Sequence, residues 1–388
     1  MTHTTAETVS DADRAYMRLA AHVAARSHGD VSPNPMVGAV LVKDGKVIGV
    51  GRHKRFGGLH AEREALANCA ARGNDPAGAT AYVTLEPCRH TGKQPPCTEA
   101  LLEAGISRVL YAREDPGHES GGGASVLGAS GIPCELLPGV PEAEAVSSDF
   151  CKRIETGLPW VIAKWAQTID GRIATRTGES QWISGPNARR RVHRLRSRVD
   201  AILTGLGTVL ADDPMLNARD TRRVRRVARR IVIDSDLDTP MESNLVRTAR
   251  EYPTTIVCAK ENLHLRIAKR RREALTAAGV EVLGVLGGTM TAGWMDLRAA
   301  LELVTERHQI QNVLVESGPG LLGSLLEEGL IDEALVYVAP VLLGDEQAKS
   351  AAIGRVAASL SSGVRLDLVR HKRVGEDVEL TYRRREAR

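Results

Sequence analysis

Three short segments between positions 60 and 97 carry residues able to hold a metal ion and move a proton. They read His60-Ala61-Glu62, Glu86-Pro87-Cys88 and Cys97, with eight residues between the two cysteines. One imidazole and two thiolates make a three-ligand set that leaves a fourth zinc position open. Water in such a position has its pKa lowered to near 7. Glu62 lies two residues past His60, close enough to reach that water without being a ligand. These are the parts of a hydrolytic deamination. The activated water attacks an amidine-like ring carbon, and the carboxylate carries a proton to the ring nitrogen and then to the leaving ammonia.

The His-x-Glu and Pro-Cys pattern resembles the signature of the zinc nucleobase deaminases, whose cysteines are usually spaced Cys-x-x-Cys. The longer loop here, Arg89 to Pro96, has to fold over for Cys88 and Cys97 to converge. A purely structural zinc, or two buried apolar cysteines, are the competing readings. Cys69, Cys134, Cys151 and Cys258 have no partner at ligand spacing and read as packing residues. Arg89, His90 and Lys93 place cationic groups beside the proposed metal, which suits an anionic substrate or simply a solvated surface. Asn34, in Asn34-Pro35, is either a turn residue or an amide for a pyrimidine edge.

These residues need a frame. Ser10 and Asp13 form a candidate capping box ahead of a helix whose Met17, Ala20, Ala21 and Ala24 recur at helical spacing. Val37 to Val42 reads as a strand, Asp44-Gly45 as a hairpin turn, and Val47 to Val50 as its return. A helix is expected from His60 to about Arg72, a strand over 81–85, a helix over 97–104 and a strand over 109–112. A helix over 142–152 leads out. The alternation predicts an α/β layer domain with its boundary near residue 150, dividing the chain into 1–150 and 151–388. Beyond it, strands are expected at 160–165, 201–204, 230–233, 255–258, 280–285, 312–316 and 334–340. They show little polar alternation, as in sheets covered on both faces.

Composition narrows the function classes. The 388 residues carry a formal charge of only +4, which gives no reason to expect a polyanion-wrapping protein. Hydrophobic residues at 43% and charged ones at 26% fit a folded globule. Six cysteines make no disulfide framework. The polar opening stretch lacks the apolar core of a signal peptide, and the apolar run at 334–344 is too short to span a bilayer. The expectation is a cytoplasmic protein with no membrane or nucleic-acid partner. Arg222 to Arg230 holds six arginines in nine residues; it reads as a solvated loop rim before a strand rather than a backbone grip.

The chain closely resembles the bifunctional riboflavin-biosynthesis deaminase–reductase family over essentially its whole length. The resemblance is carried by Pro33-Asn34-Pro35-Met36-Val37-Gly38, His60-Ala61-Glu62, Tyr82 to Cys88 and Pro95-Pro96-Cys97. It implies a cytidine-deaminase-like three-layer fold for the first domain. His60, Cys88 and Cys97 would hold one zinc per chain, and Glu62 would be catalytic. Asn34, His53, His90 and Lys93 would bind the substrate, a 2,5-diamino-6-(phosphoribosylamino)pyrimidinone. Met36 and Arg89 depart from the asparagine and serine expected there.

In the second half, residues alone say less. Gly205-Leu206-Gly207-Thr208 and Glu316-Ser317-Gly318-Pro319-Gly320 each follow a strand, and each is a nucleotide cradle or a plain strand–turn–helix junction. The resemblance extends through Lys164 to Ile173, Gly178 to Ser184, Gly207 to Pro214 and Val315 to Pro319. It implies a dihydrofolate-reductase-like α/β domain using NADPH to convert the phosphoribosylamino group to a ribitylamino phosphate. Lys164, Ser180, Asp212 and Glu316 would line the substrate pocket. Arg196 and Arg219 would bind phosphate, as guanidinium forks do. Trp182, Thr208, Ser235, Gly318 and Pro319 would contact the cofactor. Gln167 and Ser317 stand where serine and glycine are more frequent; a Cβ at Ser317 would crowd the cofactor if that position needs positive φ. The family implies a homo-oligomer, a dimer or tetramer.

Overall fold

The computed structural model describes residues 9–286, 295–354 and 357–385. The opening stretch read for a signal segment therefore lies mostly outside the described residues. The chain divides into two compact units, Met1–Gly157 and Leu158–Arg388.

The first unit opens with helix α1 (Asp11–Ala24). Its capping box forms as expected: Asp13 N donates to Ser10 Oγ at 3.1 Å, and Ser10 N donates back to Asp13 Oδ2 at 2.8 Å. Strands β1 (Gly38–Lys43) and β2 (Lys46–Arg52) make the hairpin, with Asp44 and Gly45 both at positive φ in the turn. Strands β3 (Thr80–Val83), β4 (Arg108–Tyr111) and β5 (Cys134–Leu136) complete a sheet ordered β2-β1-β3-β4-β5. Helices α2 (Ala61–Ala71), α3 (Cys97–Glu103) and α4 (Gly123–Ala129) intervene.

Strand alternation sorts the core into two layers. Ala39, Leu41, Ala81, Val83 and Val109 pack with Ala61 and Ala65 of α2, Leu101 of α3 and Leu127 of α4. Val40, Val42, Tyr82 and Leu110 pack with Met17, Ala20 and Ala21 of α1 on the opposite face. The result is the three-layer arrangement expected.

The helix expected over 142–152 is instead two, α5 (Pro141–Ala145) and α6 (Ser148–Thr156). Between them buried Ser147 turns its Oγ to donate to Met36 O at 2.9 Å. Helix α6 carries the first unit to Gly157, whose φ of 74° ends it. The division thus falls beyond residue 150.

The second unit holds β6 (Trp160–Gln167), β7 (Arg172–Ala174), α7 (Pro186–Arg196), β8 (Ala201–Gly205), α8 (Leu206–Asp212) and β9 (Arg229–Ile233). There follow α9 (Asn244–Arg247), β10 (Thr254–Ala259), α10 (Arg266–Ala277), β11 (Glu281–Val285), α11 (Leu297–His308) and β12 (Asn312–Val315). Last come α12 (Pro319–Glu327), β13 (Glu333–Val338), β14 (Lys349–Ser350), β15 (Leu366–Val374) and β16 (Asp377–Arg384). Nine strands form one sheet ordered β11-β10-β9-β8-β12-β6-β13-β16-β15, parallel through β13 and antiparallel at β16 and β15. Both faces are covered: Ile202, Ile256 and Leu314 belong to one core, Leu203, Val257 and Val313 to the other. That explains the unalternating strands. Among the described residues no helix is long and apolar enough to cross a membrane.

The arginine run is not a solvated rim throughout. Arg230 is fully buried at the start of β9. Its guanidinium donates to the carbonyls of Met215, Leu245 and Tyr252 and to the hydroxyls of Thr248 and Thr254. Burial lowers its pKa to about 10. Arg226 pairs with Asp200, and Arg229 reaches Glu281 at 3.3 Å. Arg222 and Arg223 remain exposed. An arginine that enters a covered sheet has to bring its hydrogen bonds with it.

Candidate active sites

The first site is assembled where helices begin. His60 is the N-cap of α2, Glu62 lies in its first turn, and Cys97 is the first residue of α3. Helix α2 approaches β2 so closely that a Cβ on Gly51 would stand 2.2 Å from Ala61 O, so glycine there lets the helix start reach the sheet. His60 Nδ1 stands 3.5 Å from Cys88 Sγ and 3.4 Å from Cys97 Sγ. Among the described residues, these three are the one group of metal-capable side chains whose ligand atoms all lie within 4.8 Å of one another. The loop of eight residues does fold over: Cys97 N donates to Cys88 O at 3.1 Å. One ring nitrogen and two sulfurs so close together are a donor set that fits zinc.

Electrostatics agree with that chemistry. A hydrogen bond from Cys97 and the neighbouring His60 lower Cys88 well below an ordinary thiol, while the same bond and burial raise Cys97. Glu62 is 3% exposed, and burial first, then the charge on Cys88, raises its carboxyl to about 7. A carboxyl so placed can both take and give a proton near neutral pH.

Of the expected substrate residues, Asn34 and His53 come together, with Asn34 Nδ2 3.1 Å from His53 Nε2. His53 is buried and edge-on to His60, ring centroids 5.5 Å apart. Its Nδ1 is 2.9 Å from Leu59 O. His90 and Lys93 lie on the loop between the cysteines; His90 Nδ1 is buried without a hydrogen-bond partner. Lys93 Nζ sits 3.9 Å above the Phe56 ring.

Two residues that position the ligands were given no role in the sequence reading. Glu86 is 7% exposed and accepts the backbone N–H groups of Asp115, Gly122 and Ala124 at 3.3, 3.1 and 2.8 Å. It thereby fixes the segment leading to Cys88 against the start of α4. Arg63 donates to Pro96 O at 2.8 Å and Pro95 O at 3.3 Å, tying α2 to the approach to Cys97. Their signal was present only as an acid before Pro-Cys and a base after Glu62. Of the two departures here, Arg89 donates to His118 O at 3.3 Å, and Met36 offers its carbonyl to Ser147.

In the second unit, three expected site residues form one half-buried ion cluster. Arg196 grips Glu316 with two bonds of 2.6 and 2.9 Å, and Lys164 Nζ lies 3.5 Å from Glu316 Oε2. Burial pushes Glu316 up, but Arg196 and Lys164 outweigh it and hold the carboxyl at about 2. Burial lowers Lys164, against the pull of Glu316. Arg196, read as a phosphate residue, is thus engaged with a carboxylate and with Asn217 O. Arg219 is exposed, its guanidinium 3.4 Å from Asn217 Oδ1. Ser180 O accepts from Ile183 N, and Asp212 ends α8, its carboxyl raised by burial and opposed by Lys349.

Strands β8 and β12 run parallel, and the segments leaving their ends meet: Gly318 N donates to Thr208 Oγ1 at 3.0 Å. Gly318 caps α12, with Pro319 its first residue. Ser317 is not among the positive-φ residues, so its Cβ is accommodated, and its Oγ is buried without a partner. A helix start with an unsatisfied hydroxyl beside it fits an anionic cofactor. Trp182 stacks on Arg189 at 4.6 Å, and Ser235 O accepts from Asn262; neither contact joins them to the Thr208–Gly318 pair. Gln167 takes the indole N–H of Trp165 at 2.7 Å.

Comparison with known proteins agrees with both geometries. Residues 10–113 match the cytidine and deoxycytidylate deaminase zinc-binding region, and residues 159–380 match the RibD C-terminal domain. The riboflavin biosynthesis protein RibD of Actinobacillus pleuropneumoniae is 40% identical over 379 residues, 97% of this chain and 96% of that protein. The chain belongs to the RibD family. The RibD of Escherichia coli is 38% identical over 86% of this chain and 89% of its own length. The Acinetobacter baumannii RibD structure superposes with a TM-score of 0.80 at 32% identity, covering 97% of this chain and 99% of that one. As a RibD-type protein, the chain is a bifunctional enzyme of the deaminase–reductase class, with a deaminase-like first unit and a dihydrofolate-reductase-like second unit, both α/β.

Proposed function

We propose that the chain hydrolytically deaminates 2,5-diamino-6-(5-phosphoribosylamino)pyrimidin-4(3H)-one to 5-amino-6-(5-phosphoribosylamino)uracil, and then reduces C1′ of the ribosyl group to give 5-amino-6-(5-phosphoribitylamino)uracil. One observation carries the reading: His60, Cys88 and Cys97 converge beside a buried Glu62 whose carboxyl is raised to about 7.

His60, Cys88 and Cys97 would hold zinc, which when bound supplies Lewis-acid activation of water at neutral pH. Glu62 takes a proton from the attacking water, hands it to the ring nitrogen, and returns one to the departing amine. Asn34 and His53, already bonded to each other, present an amide and an imidazole to the heterocycle. His90 and Lys93 offer donors to its phosphate.

In the second unit, Thr208, Gly318 and Pro319, with Trp182 and Ser235, would hold NADPH, which when bound supplies the hydride. A glycosylamine opens to an imine whose C1′ accepts it, so the protein's task is alignment and exclusion of other acceptors. Lys164, Ser180, Asp212 and Glu316 would orient the pyrimidine and ribose, with Arg196 and Arg219 at the phosphate.

A coupled assay on the zinc-loaded full chain tests this. Ammonia release should precede NADPH consumption, with one zinc per chain. NADPH oxidation of the diamino compound before any ammonia appears would reject the order; active protein without zinc would reject the first half.

A further inference from the structure

Two loops lead to the ligands of the first site. Residues 53–60 carry His53 and end on His60; residues 88–97 begin on Cys88 and end on Cys97. Between the ligands, the stretches His53 to Leu59 and Arg89 to Pro96 contain no acidic residue, yet hold Lys54, Arg55, Arg89 and Lys93, all exposed. Glu64, one turn into α2, pairs with Lys54. These two stretches are therefore net cationic.

One side-chain contact spans them. Lys93 Nζ lies 3.9 Å from the centroid of Phe56, a cation over an aromatic face. Phe56 is one of only two phenylalanines in the chain. At 46% exposure it is a large apolar side chain left at the surface beside the site. Its backbone is pinned, with N donating to Asp30 O at 3.3 Å. Gly57 adds to the fit: a Cβ there would stand 3.7 Å from Lys93 Cδ, so the lysine stem lies across the glycine. On the same loop as Lys93, His90 keeps a buried Nδ1 without a partner.

We infer that Phe56 is a positioning residue for the Lys93 ammonium, latching the loop between the cysteines to the loop before His60 and presenting the cation to a phosphate monoester on the substrate. The inference rests on the proposed function for the identity of that phosphate, and on geometry alone for the latch. A free lysine on a loop of glycine and polar residues samples many rotamers. One parked on a ring keeps its charge in place and loses less entropy when the phosphate arrives.

Phe56→Leu and Phe56→Tyr in the zinc-loaded full chain test it, with zinc content and melting temperature as controls for folding. For Phe56→Leu, amide hydrogen exchange over 89–96 should rise. KM for the phosphorylated diamino substrate should rise about two- to fivefold, with kcat nearly unchanged and KM for the dephosphorylated compound unmoved. Phe56→Tyr, which keeps the ring, should restore both. Unchanged exchange in Phe56→Leu would overturn the latch, whatever the substrate. An equal rise in KM for both compounds would overturn the phosphate role. If the parent chain releases no ammonia from either compound, the proposed function falls, while the exchange measurement still decides the latch.

Discussion

The two sites satisfy their charges in opposite ways. In the first unit, two cysteines and an imidazole converge with a carboxyl that burial drives toward neutrality, and the positive charge that draws Cys88 down is that of His60, itself one of the three candidate ligands. In the second, Glu316 is answered by Arg196 and Lys164 within the protein itself, and is held fully ionised. The first centre is built for a cation from outside; the second carries its own. Electrostatic self-sufficiency is therefore a property of the site and not of the layered α/β frame that both units share.

The sharpest way to break this contrast is to neutralise Glu62. Glu62→Gln should lower ammonia release by about 10²- to 10⁴-fold while zinc stays bound and reduction of the deaminated substrate proceeds. Full deaminase activity would remove Glu62 from the mechanism. The matching change in the second unit acts on stability first. Glu316→Ala leaves Arg196 and Lys164, both half-buried, without their carboxylate, a loss of about 3 kcal/mol, the low end for a buried pair. Denaturant unfolding should show it in the transition of the second unit, with zinc content and ammonia release intact. If both transitions shift together, the units are not electrostatically independent.

Acid titration sharpens the same point with no mutation. The carboxyl of Glu316 is lowered from 4.5 to about 2 in the fold. A depressed carboxyl contributes stability that is fully present above its unfolded value and is lost as pH falls toward its folded one. Between about pH 5 and pH 3 the second unit should lose roughly 2 kcal/mol, read from urea midpoints at each pH, and Glu316→Ala should flatten the difference. An unaltered slope in the variant would show that other carboxylates set the acid limb.

What was legible from sequence follows the same division. The zinc-type ligands lie within 38 residues of chain, His60 and Cys97 at helix starts and Cys88 on the loop after β3, so spacing and the deaminase-like signature exposed them together. Buried strands were legible too, because parallel strands covered on both faces are apolar without interruption. The hairpin of β15 and β16 was not: β15 is exposed over most of its length and reads Leu-Asp-Leu-Val-Arg-His-Lys-Arg-Val, with no face set apart by hydrophobicity. Lys164, Arg196 and Glu316 were named singly through family resemblance. Their union is a long-range ion cluster that no local pattern encodes. Arg230 was misread for the same reason, since its acceptors come from three other segments. Arg63 and Glu86 act through backbone carbonyls and amides of distant loops, which side-chain types do not announce.

Arg63 offers the finest test. Its guanidinium spans the carbonyls of Pro95 and Pro96, immediately before Cys97, so it sets where the second sulfur stands without touching the ligand set by a side-chain bond. Residues that orient ligands in this way typically change metal affinity by 10- to 100-fold. Here the proline pair already stiffens the approach, which puts the expected effect at the lower end, about tenfold. Arg63→Ala should therefore release zinc about tenfold faster to a chelator, and Arg63→Lys, a point charge that cannot bridge two carbonyls, should recover only part of that. Unfolding of the second unit should not change in either variant. Zinc release at the parent rate would mean that Glu86 and the chain around Cys88 hold the centre by themselves.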